Sequence, residues 1–195
     1  RQPMIDKETG AVITYNGEIY NFKEIRSNLE KDNIKFESQT DSEVVLKAYR
    51  KWGASCVDKF IGMFAFAIWD PVKKGIFLAR DRIGIKPLYY YYSKDIYIFA
   101  SRLSPLILHP SCPHDIDRQA LRFYLDLSYV PAPWSILSGI KKLKPGHTLW
   151  VDKKGINENC YWSIDNININ KKLEKIPEAE LVNELDVLLQ GSVSQ

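Results

Sequence analysis

Runs of apolar and alternating residues predict that this chain is built largely from β-strands separated by turn residues. The strand signals lie at residues 12–15, 35–38, 63–69, 76–79, 88–92, 96–100, 147–151 and 160–163. The segment from Met63 to Trp69 is apolar at successive positions, which is typical of a strand covered on both faces. Short connections at residues 70–74 and 93–95 predict antiparallel hairpins.

Four other segments carry the apolar period of a helix. The first follows Asn21, with Glu24 at the spacing of a capping box, and the second follows Thr40 in the capping-box sequence Thr-Asp-Ser-Glu. Gly53 is expected to end the second helix. The third helix is predicted near residues 117–127. The fourth has an apolar stripe made of Leu181, Val182, Leu185, Leu188 and Leu189.

The distribution of these elements predicts an α+β core domain at residues 1–153. Because at least one strand is expected to be covered on both faces, the core should be layered. The polar, Asn- and Lys-rich stretch at residues 154–176 is predicted to be a linker. The helix at residues 177–195 is expected to begin another domain, because little of the chain remains to cover its apolar stripe.

Composition and charge are those of an ordinary globular chain of 195 residues with a net charge of +3. The longest apolar run, residues 60–69, is shorter than the about 18 residues of a membrane helix, and the lysines form no long basic run. No membrane or nucleic-acid partner is therefore expected. The four tyrosines at residues 89–92 are interpreted as alternate rings of a half-buried strand. The start of the chain shows no secretory signal, so we expect a cytoplasmic location.

The cysteines and histidines give no pattern of a metal site. The cysteines are odd in number and widely spaced, so they are expected to be reduced and structural: Cys56, Cys112 and Cys160. Cys112 and His114 lie close together, but no second pair of ligands accompanies them, and we expect no metal. His109 and His147 are interpreted as ordinary polar residues.

Two short stretches carry the candidate chemistry: Asn16-Gly17-Glu18 and the helix start at Asp41. Both are predicted to lie where an extended segment gives way to a helix N-terminus, a place that favours anions. The Asn16 side-chain amide and the Gly17 backbone N–H could form an oxyanion hole, and Asp41 could pair with an ammonium group. Such a pocket would suit an amino acid with a side-chain carbonyl. The alternative is structural: the second helix is merely capped, and Asn-Gly only forms a turn.

A series of motifs in fixed order extends over nearly the whole chain. They are YNGEIYNF, TDSEVVLKAYRKWG, GMFAFAIWD, ARDRIGIKPLYYY, FAS, ID..AL..YL, SYVPAP and KLKPGH. In these motifs the chain resembles the glutamine-hydrolysing domain of asparagine synthetases, among the class II (amino-terminal nucleophile, Ntn) glutamine amidotransferases. The resemblance implies a four-layer αββα sandwich of antiparallel sheets, incomplete at the N-terminus.

The resemblance also implies residue roles. Asn16 and Gly17 would hold the oxyanion, Glu18 would line the glutamine pocket, and Asp41 would bind the glutamine α-ammonium group. In the family, an amino-terminal cysteine attacks the carboxamide with its own α-amine as base, forming a thioester that water releases as glutamate. The ammonia passes to a C-terminal synthetase domain of the same chain, which uses ATP and Mg²⁺ to amidate aspartate. The glutaminase domain itself needs no cofactor or metal. A homodimer is one option for assembly.

This chain departs from the family pattern at several positions. The nucleophilic cysteine belongs to a segment before residue 1, so the 195 residues alone are expected to be inactive. Arg102 stands after FAS, where the family usually has Glu. No chemical role follows for Arg80, Asp81, Arg82 and Lys86, which are interpreted as a buried ion-pair loop. Two other functions stay open: a β-lactam-synthetase-like domain that does not hydrolyse glutamine, and an amidotransferase for another carboxylate acceptor.

Overall fold

A computed structural model describes residues 2–93, 96–167 and 176–193. The strands are β1 (Met4–Ile5), β2 (Val12–Ile19), β3 (Gly62–Asp70), β4 (Gly75–Arg80), β5 (Tyr89–Tyr92), β6 (Tyr97–Ala100), β7 (Ile140–Lys142), β8 (His147–Asp152) and β9 (Gly155–Cys160). The α-helices are α1 (Phe22–Lys31), α2 (Asp41–Trp52), α3 (Leu103–Ile107), α4 (Arg118–Leu127) and α5 (Glu178–Val193). Short 3₁₀ helices lie at Gly53–Lys59 and Ile164–Asn166.

The strands form two antiparallel sheets. The larger has the order β1-β2-β3-β4-β8-β9, and the smaller has the order β6-β5-β7. The predicted hairpins are confirmed, because β3 pairs with β4 and β5 pairs with β6. Residues 94–95 of the second connection lie outside the described residues.

The side chains of β3 show how the layers are stacked. Phe64, Phe66 and Ile68 pack into a core shared with α1 and α2, whereas Ala65 and Ala67 pack on the opposite face. That second core is shared with Tyr90 of the smaller sheet and with Leu88, which directly precedes β5. β3 is therefore covered on both faces, as its sequence predicted.

The outer face of the smaller sheet completes the stack. Tyr89 and Tyr91 of β5 pack with Leu106 of α3 in a third core, while Tyr90 faces the larger sheet. The prediction that alternate tyrosine rings face opposite sides of one strand is confirmed. The order helices, sheet, sheet, helix is the four-layer αββα sandwich.

Three strand predictions were wrong. β2 continues through Asn16, Gly17 and Glu18 because each of them is paired with β3, which overrides the turn preference of Asn-Gly. Residues 35–38 form no strand, and instead the Glu43 carboxylate accepts hydrogen bonds from the backbone N–H groups of Glu37 and Ser38. The last strand is β9, not residues 160–163.

The position of β9 also corrects the predicted domain boundary. It pairs with β8 at the edge of the larger sheet, so residues 155–160 are not linker. Residues 1–162 form one compact unit and residues 163–195 form a second. Residues 168–175 of the predicted linker lie outside the described residues. No helix in the part of the chain that the structure describes has the length and apolar character needed to cross a membrane.

Neither predicted capping box forms, although both helices do. The Asn21 side chain donates to the Lys59 carbonyl and accepts from the Ile61 N–H, both at 3.0 Å, and so ties the start of α1 to the approach to β3. Glu43 accepts from Ser38 N–H at 2.6 Å instead of reaching back to the start of α2. α2 ends at Gly53, which has a φ of 58°.

The charged segment after β4 is held by backbone groups, so the predicted ion-pair loop is wrong. The Arg80 guanidinium donates to the carbonyls of Lys86, Leu143 and Gly84 at 2.8, 2.7 and 2.7 Å. The Asp81 carboxylate accepts from the N–H groups of Phe64, Ile85 and Lys86 at 3.2, 2.9 and 2.9 Å. Burial of two charged side chains is thus compensated by peptide dipoles.

Candidate active site

The candidate site lies along the edge of β2 that faces away from β3. Gly17 is paired with Phe64 of β3, but the Phe64 N–H and C=O bind Asp81 on the other side of β3. Gly17 and Phe64 are therefore a non-hydrogen-bonded pair of the antiparallel ladder. It follows that the Gly17 N–H points to the free edge of β2.

Three N–H groups point along this edge, because every second residue of a strand has the same direction. The Tyr15 N–H donates to the Gln2 side chain at 2.7 Å, and the Ile19 N–H donates to Asp41 Oδ2 at 3.2 Å. β1 pairs with Val12 and Ile13, and no strand in the described part of the chain pairs with the rest of this edge. Between the two bonded groups, the Gly17 N–H has no partner among the described residues and is available as a donor.

The Asn16 side chain lies on the face of β2 that looks toward the smaller sheet. Its Nδ2 donates to Ser101 Oγ at 3.2 Å. Asn16 also lines a cavity of about 320 Å³ between the two sheets, together with Gln2, Leu88 and Phe99. The two proposed oxyanion donors are thus consecutive in the strand, although they do not lie at a helix N-terminus as the sequence predicted.

Asp41, the first residue of α2, reaches the same edge from the helical side. Its Oδ2 accepts from the Tyr15 hydroxyl at 2.7 Å and from the Ile19 N–H. Burial and the Asp41 carboxylate raise the pKa of the Tyr15 phenol far above its ordinary value of 10.0, so the hydroxyl is protonated and donates. Among the described residues, Asp41 Oδ1 has no hydrogen-bond partner.

The spacing along the edge defines what could bind there. Gly17 and Ile19 are two residues apart in a strand, which places their N–H groups about 7 Å apart. An extended amino acid of the size of glutamine reaches about this far from its α-nitrogen to its side-chain carbonyl oxygen. The edge carries the Gly17 N–H at one end and, bound to the Ile19 N–H, the Asp41 carboxylate at the other, which are the partners that the two ends of such a molecule need. Glu18 is exposed beside them.

Gly17 is required by the packing of β3 as well. A Cβ at this position would lie 2.3 Å from the Met63 carbonyl oxygen and 2.6 Å from the Phe64 Cα. The sequence alone indicated only an oxyanion donor or a turn for this glycine. The structure adds a steric reason that holds with or without a ligand.

The three cysteines are free thiols, two of them buried: Cys56 and Cys112. Burial raises the pKa of both buried thiols, which makes them poor nucleophiles at neutral pH. Among the described residues, no group of three or more His, Cys, Asp or Glu side chains is arranged to hold a metal ion.

Sequence reasoning missed three contributors to the site: Gln2, Tyr15 and Ser101. Ser101 belongs to the motif FAS, which was the available signal for it. Tyr15 lies in the apolar run of β2 and looks like an ordinary core aromatic. The Gln2 amide both accepts from and donates to the Tyr15 backbone at 2.7 Å, an arrangement that only the fold reveals.

Comparison with known proteins gives a consistent match. Residues 1–162 match the family described as glutamine amidotransferase domain. The chain is 37% identical over 168 residues to asparagine synthetase [glutamine-hydrolyzing] 3 of Bacillus subtilis (strain 168), covering 85% of this chain and 27% of that protein. It is 36% identical over 202 residues to asparagine synthetase [glutamine-hydrolyzing] 2 of the same organism, covering 99% of this chain and 27% of that protein. The chain thus spans less than a third of these relatives.

Solved structures support the fold. The glutamine phosphoribosylpyrophosphate amidotransferase from B. subtilis, complexed with ADP and GMP, superposes with a TM-score of 0.57 at 18% identity, covering 87% of this chain and 32% of that chain. A structure described as the allosteric regulatory enzyme of purine biosynthesis gives a TM-score of 0.58 at the same identity. At this identity the likeness shows a shared fold and nothing about substrate.

Proposed function

We propose, from the premise that this chain belongs to the glutamine amidotransferase domain family, that residues 1–162 bind glutamine along the free edge of β2 and form the glutaminase part of a longer synthetase. The observation that carries the proposal is the arrangement of the Gly17 N–H and, two residues further along the same strand edge, the Ile19 N–H with its bound Asp41 carboxylate. The named relatives that are glutamine-hydrolysing synthetases support the same substrate.

In this proposal the chain supplies binding and electrostatics, and a cysteine thiolate upstream of residue 1 supplies the nucleophile. The sulfur forms a bond to the carboxamide carbon, and the carbonyl electron pair moves to oxygen. The Gly17 N–H and Asn16 Nδ2 would donate to that oxyanion. When the intermediate collapses, the C–N bond breaks, and the leaving nitrogen takes a proton from the cysteine's α-ammonium group. Water then hydrolyses the thioester to glutamate and restores the thiol.

Asp41 would hold the substrate at its other end. A carboxylate in the first turn of α2 is favourably placed with respect to the helix dipole. Since Oδ2 is already engaged by Tyr15 and Ile19, Oδ1 would accept from the α-ammonium group of glutamine. Glu18 would line the same pocket from the neighbouring position of β2.

The test uses the intact protein and the variant Asp41→Asn, which keeps a side-chain acceptor for Tyr15 and Ile19 but removes the charge. We expect the KM for glutamine to rise about tenfold or more, the equivalent of about 1.4 kcal/mol or more of lost charged interaction. Synthesis driven by free ammonia should stay within about twofold, because ammonia does not need the glutamine site.

The matched control is Asp126→Asn, an exposed carboxylate on α4 that should change neither activity. An equal loss of glutamine-driven and ammonia-driven activity in Asp41→Asn would mean that Asp41 acts through folding. Residues 1–195 on their own should release no glutamate from glutamine, and a clear turnover by this chain alone would contradict an upstream nucleophile.

For the whole protein we propose a second, C-terminal domain that uses ATP and Mg²⁺ to activate the carboxylate of aspartate for attack by the released ammonia. The names of the relatives support aspartate as the acceptor. Cytoplasmic location and assembly with a second copy belong to the same proposal. Pyrophosphate release that depends on both glutamine and aspartate is the expected result. Release that depends on a different carboxylate would replace aspartate as acceptor, and absence of glutamate release would favour a non-hydrolytic domain.

A further inference from the structure

Tyr15 joins the hydrophobic core to the candidate site. Its ring is 8% exposed and packs in the core beneath α2. Its hydroxyl donates to Asp41 Oδ2 at 2.7 Å, a contact between residues 26 positions apart in the sequence. The ring position is fixed by packing, so the hydroxyl is a rigid point against which the Asp41 carboxylate is held.

The two hydrogen bonds that Asp41 accepts both end on the same oxygen. The bond from Tyr15 is short at 2.7 Å, whereas the bond from the Ile19 N–H is 3.2 Å long. A carboxylate rotates readily about its last side-chain bond unless its oxygens are held. Tyr15 is thus the stronger of the two constraints on this rotation, and Oδ1 accepts from neither donor.

A tyrosine is chemically suited to this task because it is a neutral donor. Burial raises the pKa of the phenol, so it stays protonated over the whole physiological range and places no second negative charge beside Asp41. A lysine or arginine in its place would also hold the carboxylate, but it would neutralise the charge needed for an ammonium ligand. The carboxylate is oriented while its charge is kept.

We propose that Tyr15 is a positioning residue that holds Asp41 Oδ2 and thereby presents Oδ1 to the α-ammonium group of a glutamine whose carboxamide lies at Gly17. This inference rests on the proposed function. It assigns to a core aromatic a share in the affinity for the substrate, exerted entirely through Asp41.

The test compares Tyr15→Phe with Tyr49→Phe in the intact protein. Tyr49 is an internal match, because its buried hydroxyl also donates to an aspartate, Asp70 Oδ2, at 3.0 Å in the same core. Asp70 binds the turn N–H groups of Val72 and Lys73 and lies away from the β2 edge. Each substitution keeps the ring and deletes one phenol–carboxylate hydrogen bond.

We expect both variants to lose similar stability, but only Tyr15→Phe to raise the KM for glutamine, by about five- to tenfold. The kcat with saturating glutamine and the ammonia-driven rate should stay within about twofold of the parent. A KM in Tyr15→Phe that matches the KM in Tyr49→Phe would overturn the inference. Adding Tyr15→Phe to Asp41→Asn should raise the KM no further, and an additive rise would show that Tyr15 does not act through Asp41.

A second variant keeps the inference testable if Tyr15→Phe folds poorly. Asp41→Glu retains the negative charge but moves the carboxylate by one methylene away from its position against Tyr15. We expect its KM for glutamine to rise as in Tyr15→Phe, and an unchanged KM would contradict the need for positioning. Absence of any glutamate release by the parent protein would overturn the proposed function and this inference together. Normal release with an unchanged KM in Tyr15→Phe would overturn the inference alone.

Discussion

Replacing Arg80 by methionine tests whether the loop after β4 is held by the guanidinium. The side chain is 8% exposed and donates to three carbonyl groups, of which only that of Leu143 is in a fully buried bond. Removing the donor to a buried carbonyl costs about 1–3 kcal/mol. The two partly exposed carbonyls can accept hydrogen bonds from water instead, so their loss costs less. Methionine preserves much of the apolar stem.

The expected loss of unfolding free energy is about 3 kcal/mol. Burial lowers the pKa of Arg80, and a buried charge is costly in general, so removal of this charge should offset part of the lost hydrogen bonding. The loss of unfolding free energy in Arg80→Met should therefore be smaller than the loss expected for three independent charged hydrogen bonds. Urea unfolding of the 195-residue chain followed by tryptophan fluorescence measures the difference, provided that the slope with denaturant is unchanged.

Arg82→Met is the matched control in the same loop. Arg82 is partly exposed and donates to the Asp58 carbonyl at 3.3 Å, so its loss should change stability by about 0.5 kcal/mol or less. Equal destabilisation by the two substitutions would refute the reasoning. A much smaller effect of Arg80→Met would mean that water replaces all three bonds.

Two further predictions concern the buried charges next to β1 and α2. Lys47→Met should cost about 3 kcal/mol because it leaves the fully buried Asp6 carboxylate without its 2.6 Å partner, whereas Lys7→Met, at an exposed pair, should have no measurable effect in the same urea assay. Burial alone raises the pKa of Asp6 and Glu43, but their hydrogen bonds outweigh it and both values lie below the ordinary 3.8 and 4.5. The two ionised carboxylates therefore contribute fully to the free energy of unfolding above their ordinary pKa values, and this contribution is lost as the pH falls through their lower pKa values in the folded protein. Acid titration followed by circular dichroism should show unfolding below about pH 4. The acid dependence should be weaker in Glu43→Gln.

Much of the fold could be predicted because burial marks it in the sequence. β3 is apolar on both faces since it lies between two cores, and that pattern alone indicates a layered arrangement. β9 could not be predicted in the same way. It is an edge strand with mostly exposed polar side chains, so its hydrogen bonds to β8 leave no apolar pattern in its sequence.

The candidate site was predictable in its residue types but not in its geometry. The structure places Asn16 and Gly17, which the sequence singled out, in β2, and it places Asp41 beside that strand through the bond to Ile19. The predicted location of Asn16 and Gly17 was wrong, because these two donors lie within a paired strand and not at the start of a helix. The direction of a backbone N–H depends on the register with the neighbouring strand, and register is a property of the fold.

The two constraints on Gly17 act on opposite sides of the strand, and this decides how its role can be tested. On the β3 side, the absence of a Cβ avoids a clash with the Met63 carbonyl. On the free side, the N–H is the group available to an oxyanion. A Gly17→Ala variant would disturb the packing against Met63 whether or not the Gly17 N–H is a donor. Its loss of activity would therefore not identify the donor. Asn16 is exposed, and within the described part of the chain its side chain is hydrogen-bonded to Ser101 alone. Substitution of the Asn16 side chain therefore separates oxyanion stabilisation from the packing of the sheet.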